Sequence, residues 1–364
     1  MIPLRLFFGA VIFAMLTLSF SAPASAQGAG DVGLTVVESD MSFEDTWAAV
    51  AEALQANENI SVLGQIDHEA AASVAGLDLD PNRVVFFGNP ALGTPIMQAS
   101  RSAALDLPQK IQVYEVDGTA YVAYNSADYL GARHAAADVE TLPTIAGALA
   151  NFASVAAGTD AGDAATAGSV MAGEGTETTA SDNGFETTWR KLVAAIEASP
   201  AQLAFAVDHG ANSNGDLRPT RLAIFGNPRI GTPMMNENPT SGIDLPLKIV
   251  VWEGVKGETN VTVTDPSYIG KRHNISSATD ALAAASTAID NFVAAATAEG
   301  SKSDDSNSGS AANSASSSNF DEDKKADLPQ TGSQNAAPIL IGAFLLMAGG
   351  IFLLTGDRLN LTER

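Results

Sequence analysis

Apolar positions along the chain fall into two series that share one order of elements. Phe43, Trp47, Val50 and Leu54 stand at i, i+4, i+7 and i+11, and Phe185, Trp189, Leu192 and Ile196 repeat the spacing. Each set marks one apolar face of a helix. Ser42 with Asp45, and Asn183 with Glu186, supply the N-cap and third-position partners that start such helices. Short β-rich runs follow at 60–66, 83–87, 111–114 and 119–124, and Asp117-Gly118 between the last two signals a hairpin. The runs return at 203–207, 221–225, 249–252 and 259–263, and an Ala-rich helical stretch closes each series, at 142–155 and 281–296. The expected architecture is α+β, helices packed on one face of a mostly antiparallel sheet, present in two tandem copies.

The residues themselves repeat as well as the pattern. Phe43-Glu44-Asp45-Thr46-Trp47 answers to Phe185-Glu186-Thr187-Thr188-Trp189, Arg133-His134 to Arg272-His273, and Asn151-Phe152 to Asn291-Phe292. The offset drifts by only a few residues, so the unit is a whole domain and not a short solenoid repeat. Residues 31–156 and 183–298 are read as the two domains. The stretches 157–182 and 299–327 consist mostly of small, polar and acidic residues, which bury too little apolar area to offset chain entropy, and are read as a linker and a stalk.

Both ends carry targeting patterns. Arg5, the apolar run 6–20 and Ala24-Ser25-Ala26 have the order of a signal peptide cleaved after Ala26, which assigns 1–26 to export. Near the other end, 338–355 is apolar, and ~18 residues at 1.5 Å each approach the thickness of a bilayer core. Leu328-Pro329-Gln330-Thr331-Gly332 precedes it, and the short tail 356–364 follows. This combination resembles the cell-wall sorting signal of sortase substrates. The resemblance implies cleavage between Thr331 and Gly332, with sortase and cell-wall peptidoglycan as partners; a plain membrane anchor is the alternative. The tail departs from that family's basic pattern, since Asp357 and Glu363 balance Arg358 and Arg364.

A second resemblance covers both domains. Each has an Asp-His pair (Asp67-His68, Asp208-His209), then F-G-N-P-x-x-G-T-P-x-M from Phe87 and from Phe225. D-L-P-x-K follows from Asp106 and from Asp244, then a strand with Val-Tyr/Trp-Glu, then Tyr-Leu/Ile-x-x-Arg-His from Tyr129 and from Tyr268. Motifs in this order resemble the family catalogued as domain of unknown function (DUF) 302. The resemblance implies a compact, self-associating α+β domain and no established activity. Gln109 stands where the second copy has Leu247, and the second copy is three residues shorter between its Asp-His pair and the arginine of the following strand, Arg221 against Arg83.

Composition narrows the chemistry. With 42 acidic residues against 19 basic ones, a net charge of -23 and no basic patch, nucleic acid is not an expected partner. The absence of cysteine excludes disulfides, thiolate ligands and a cysteine nucleophile. All four histidines fall at matched positions: His68 with His209, and His134 with His273. They could line a cleft with Asp67, Asp208, Arg133 and Arg272 and bind a ligand or move protons, or they could satisfy buried backbone groups at element ends. No metal-ligand spacing is present, and no metal or cofactor is expected. Asn89 and Asn227, each before a proline, suit N-caps whose helices Gly93 and Pro95 should interrupt early, and an exposed helix start could hold an anion. Lys110 and Lys248 sit five residues from Glu115 and Glu253, hence on opposite sheet faces, and read as ligand-binding groups or as solvated strand charges. The preferred reading is a non-catalytic binding module displayed outside the cytoplasm. The rivals are an extracytoplasmic enzyme using the Asp-His positions, and a structural protein whose copies pair within one chain or between chains.

Overall fold

The structure, a computed structural model, describes residues 32–299. The proposed signal peptide, the LPQTG motif, the apolar stretch 338–355 and nearly all of the stalk lie outside them. Among the described residues no helix is long and apolar enough to cross a membrane.

The first unit runs β1 (Leu34–Glu38), α1 (Phe43–Gln55), β2 (Ser61–Asp67), α2 (His68–Val74), β3 (Asn82–Gly88), α3 (Pro90–Ala99), the 3-10 turn Arg101–Leu105, β4 (Gln109–Val116), β5 (Thr119–Asn125), α4 (Ala127–Arg133) and α5 (Leu142–Ala157). The second repeats it: β6 (Thr176–Ser181), α6 (Phe185–Glu197), β7 (Gln202–Asp208), α7 (His209–Asn212), β8 (Thr220–Gly226), α8 (Pro228–Glu237), the 3-10 turn Pro239–Ile243, β9 (Leu247–Glu253), β10 (Thr259–Thr264), α9 (Pro266–Arg272) and α10 (Thr279–Thr297). Each unit builds one antiparallel five-stranded sheet, ordered β1-β5-β4-β3-β2 and β6-β10-β9-β8-β7. The fold is α+β in two tandem copies, as the spacing of apolar residues predicts.

Alternation along the strands sorts the layers. On β3, Val85 and Phe87 face the helices, and the Phe87 ring meets Phe152 of α5 edge-on at 5.7 Å; in the second copy Phe225 meets Phe292 of α10 at 5.3 Å. Val84 and Phe86 take the opposite face, where they share one apolar cluster with Leu222, Ile224, Ile243 and Val250 of the second copy. Phe86 and Phe205 pack edge-on at 5.1 Å across this boundary. Each 3-10 turn lies against the other copy's sheet: Arg101–Leu105 on β8, β9 and β10, and Pro239–Ile243 on β3, β4 and β5. Gly242 sits so close that a Cβ there would collide with Gln112 and Asn82. Both side-chain amides donate to the Pro239 carbonyl, at 2.7 Å from Gln112 Nε2 and 3.1 Å from Asn82 Nδ2.

Four local expectations change. The segment 157–182 is not all linker, because β6 pairs with β10 as an edge strand whose threonines suit a strand although most of its side chains are exposed. Gly184, not Asn183, is the N-cap of α6; Asn183 instead donates Nδ2 to the Ala296 and Ala298 carbonyls at 3.2 and 2.8 Å. Helix α3 continues through Gly93 and Pro95 to Ala99, since burial of Thr94, Ile96 and Met97 outweighs the lost backbone bond at Pro95. Trp189 is buried, whereas Trp47 is only half-buried against the core. Replacing the fully buried Phe86 with Ala should therefore cost about 3–5 kcal/mol, read from the urea midpoint, and an unchanged midpoint would refute its place between the sheets.

Candidate functional site

The matched polar residues sort into three groups. Asp67 ends β2 and caps α2, accepting from Ala70 N–H at 2.8 Å and from Arg83 Nε at 2.8 Å; Arg83 also reaches Glu44 at 2.8 Å. Asp208 does the same with Ala211 (2.9 Å) and Arg221 (2.8 Å), and Arg221 with Glu186 (2.7 Å). Asn89 and Asn227 are N-caps, accepting from Ala91 and Arg229 N–H at 2.9 and 3.0 Å. These four act as local fastenings.

His68 and His209 form the second group. Both are buried, and both turn toward the other copy: His68 Nε2 lies 3.2 Å from the Gly242 carbonyl, and His209 lies beside the Leu107 backbone. Burial lowers each imidazole from its ordinary value to about 4, opposed in part by the neighbouring backbone. The paired His68 and His134 of the cleft reading have different partners.

The third group is a single buried network. His134, at the end of α4, places Nε2 at 2.8 Å from Asp106 Oδ2 and Nδ1 at 2.9 Å from Ser102 Oγ. Arg133 donates Nη1 to the same carboxylate at 2.7 Å, Nε to the Glu174 carbonyl at 3.0 Å, and Nη2 to the Gly175 carbonyl and Thr264 Oγ1, both at 3.2 Å. The second copy mirrors it. Arg272 donates to Asp244 Oδ2 at 2.7 Å, to the Val32 carbonyl at 3.1 Å and to Asn125 Oδ1 at 2.7 Å, while His273 joins Asp244 at 2.8 Å and Thr240 Oγ1 at 2.9 Å. Each guanidinium thus binds the aspartate of its own copy and reaches into the other. Each also lies over a tyrosine of the other copy, Arg133 at 4.7 Å from the Tyr268 ring and Arg272 at 4.0 Å from the Tyr129 ring. The two phenol oxygens meet at 3.2 Å.

Burial alone would raise both aspartates, but the arginine and histidine beside each more than offset it and hold both well below the usual carboxylate range. Burial also lowers His134, against the pull of Asp106. Lys110 and Lys248 are buried, not solvated strand charges: Lys110 Nζ lies 3.7 Å from Asp106 Oδ1, and Lys248 Nζ donates to the Asp244 and Pro246 carbonyls at 2.7 and 3.2 Å. Sequence reading left out Asp106, Asp244, Tyr129 and Tyr268 as site residues, although all four stand inside the repeated motifs. Among the described residues no group of three or more His, Cys, Asp or Glu is placed to hold a metal ion. Two surface depressions, of about 370 and 490 Å³, lie along α8 and α10 and along α4 and α5, and no matched histidine or lysine lines either.

A family model described as "Domain of unknown function DUF302" matches residues 35–152 and 177–292, more than half of the chain. The chain belongs to the DUF302 family. Each match coincides with one five-stranded unit, and the second begins within β6, inside the segment that composition alone assigns to a linker. The crystal structure of an uncharacterised conserved DUF302 protein from Bacillus stearothermophilus is similar at 20% identity and a TM-score of 0.30, over 34% of this chain and 98% of that one. Among curated proteins, fluoride-specific ion channel FluC 1 of Brucella suis and of Brucella abortus are each 35% identical over 96 residues. That stretch is 26% of this chain and 38% or 36% of theirs, so the chain spans little more than a third of these relatives.

The buried imidazoles set a pH dependence. Below pH 6.5 the unfolded chain protonates His68 and His209, while the folded chain does not until about pH 4. Stability should therefore fall as pH drops through that window and level off below it, by up to about 3 kcal/mol for each histidine. Urea unfolding at a series of pH values reads the slope, and His68→Gln should remove its share. A flat wild-type profile from 6.5 to 4 would mean that these imidazoles are solvated.

Proposed function

We propose that this DUF302 protein is exported and held at the cell surface, where its two units act as one paired, non-catalytic binding body. The observation that carries the reading is that Asp106, Arg133, His134 and their second-copy counterparts, the polar residues most fully matched between copies, are bonded to one another and across the copy boundary in the interior. A catalytic group needs access to substrate, and each of these side chains is at least nine-tenths buried. Ligand contact then falls to the outer surfaces. The curated relatives are named as fluoride channels, but the shared stretch is too small a part of either chain to bring ion conduction with it. Export and display rest on the signal-like N-terminus and on Leu328-Pro329-Gln330-Thr331-Gly332 ahead of the apolar stretch 338–355.

Two outcomes test the parts separately. Paired units that share a charged interior should unfold together, giving one calorimetric transition with equal calorimetric and van't Hoff enthalpies; two resolved transitions would show independent domains. For display, wild-type protein should leave the envelope only after peptidoglycan digestion, and Thr331→Ala should shift it to the detergent-extracted fraction with its melting unchanged. Wild-type release by detergent alone would replace wall attachment with a membrane anchor.

A further inference from the structure

Six side chains carrying formal charge are buried among the described residues outside the histidines: Asp106, Lys110, Arg133, Asp244, Lys248 and Arg272. They form one group, for Lys110 acts electrostatically on Asp106 in its own copy and on Asp244 and Lys248 in the other. Two carboxylates thus face four basic side chains, and the imidazoles beside them carry no negative charge in any state. A buried charge left uncompensated costs several kcal/mol, which a fold avoids by pairing it or by neutralising it.

The imbalance is concentrated on one side of the pair. Lys248 donates to two backbone carbonyls, whereas the Nζ of its counterpart Lys110, 2% exposed, has no hydrogen-bond acceptor in the protein. The carboxylate oxygen at 3.7 Å is beyond bonding distance. The β4–β5 ladder ends at Gln112↔Ala123, and Lys110 and Asn125 each lie two residues beyond that pair on their strands. Asn125 is also buried; its Oδ1 accepts from Arg272, and its Nδ2 has no acceptor. The second copy has Thr264 here, whose Oγ1 accepts from Arg133 and which carries no amide. An ammonium and an amide, each a donor without a hydrogen-bond acceptor, therefore lie around the Arg272–Asp244 pair of the other copy, Asn125 bonded to Arg272 and Lys110 acting electrostatically on Asp244.

We propose that Lys110 Nζ and Asn125 Nδ2 form a binding site for one small monovalent anion of halide size, at the boundary between the two copies. Donors without acceptors select an anion. The collision that any Cβ on Gly242 would meet at Gln112, two residues along β4, shows how closely the inner faces approach and disfavours a bulky or polyatomic ligand. The crowding of cations is visible at Lys248, which burial and then Lys110 bring down to about 7; an anion in the group relieves it. The site requires the two copies to be apposed, and it is independent of where the protein is displayed.

The test uses the full chain purified in detergent, with sodium gluconate exchanged for sodium fluoride, chloride or bromide at constant ionic strength. The melting temperature should rise with halide and saturate, as expected for a ligand bound only by the folded state. Asn125→Thr writes the second copy's residue into the first, keeps an acceptor for Arg272 and removes Nδ2. It should raise the half-saturating halide concentration by at least about tenfold, the loss of one hydrogen bond to an ion, each variant's melting in gluconate serving as its own baseline. Lys110→Met should abolish the halide effect. A wild-type melting temperature that follows ionic strength alone, or a saturable halide effect unchanged in Asn125→Thr, overturns the proposal. Should Lys110→Met not fold, the Asn125→Thr comparison still decides. Loss of the halide effect with a single unfolding transition intact would leave the paired-unit reading standing.

Discussion

The pair of buried arginines is the constraint around which the rest of the structure is arranged. A guanidinium has five N–H donors and no acceptor, and it keeps its charge at any pH a folded protein meets. Inside a protein each donor needs an acceptor, and the aspartate of the same copy answers only part of that need. The remainder is met by Glu174, Gly175 and Thr264 for Arg133, and by Val32 and Asn125 for Arg272. Neither arginine is satisfied by its own unit. Separating the copies would leave each with unpaired donors, so the network fixes the register of the two sheets more sharply than their apolar faces could. Hydrophobic contact is tolerant of sliding, and a forked donor set is not.

Joining the copies in one chain changes what each is free to become. In a dimer of identical subunits, every interface residue must serve on both sides of the axis. Here the sides have diverged. Gln112 and Asn82 hold the Pro239 carbonyl, while the second copy presents Val250 and Thr220 at the corresponding places. Gly242 lies where the first copy has Ala104, and a Cβ there would displace the side-chain ends of Gln112 and Asn82. Asn125 against Thr264 is the same kind of difference, and it gives the first copy a donor that the second lacks. A tandem pair has the high effective concentration of a linked partner and also permits an asymmetric centre.

Much of the fold was legible because it rests on local rules. The apolar face Phe43, Trp47, Val50 and Leu54 and the Ser42 cap mark α1, and Asp117-Gly118, both at positive φ, forms the hairpin between β4 and β5. What stayed hidden depends on partners distant in sequence. Strand β6 is mostly exposed and rich in threonine, so nothing but its pairing with β10 distinguishes it from a linker. Helix α3 holds together through Gly93 and Pro95 because one face is buried, which propensity does not report. The histidines, arginines and lysines were identifiable as repeated, but their partners were not. Arg133 meets Thr264 and His68 meets Gly242, more than a hundred positions away and in the other copy. A repeat read as two independent domains predicts two sites, whereas the residues form one.

The distribution of charge between surface and interior gives the arrangement a kinetic character. The chain has a formal net charge of -23, yet the buried charged residues among those described are four basic and two acidic, so the exterior is more acidic than the total suggests. Such a surface repels anions and supports solubility. The acceptor-poor centre at Lys110 is closed to solvent at 2% exposure, and both sheets cover it. Any species that reaches it must arrive while the copies assemble or when their boundary opens, against the outer field. Occupancy would then track the folding and opening of the pair, not rapid exchange with the surroundings. A group placed this way acts on the association of the two units by mass action, in the manner of a structural ion.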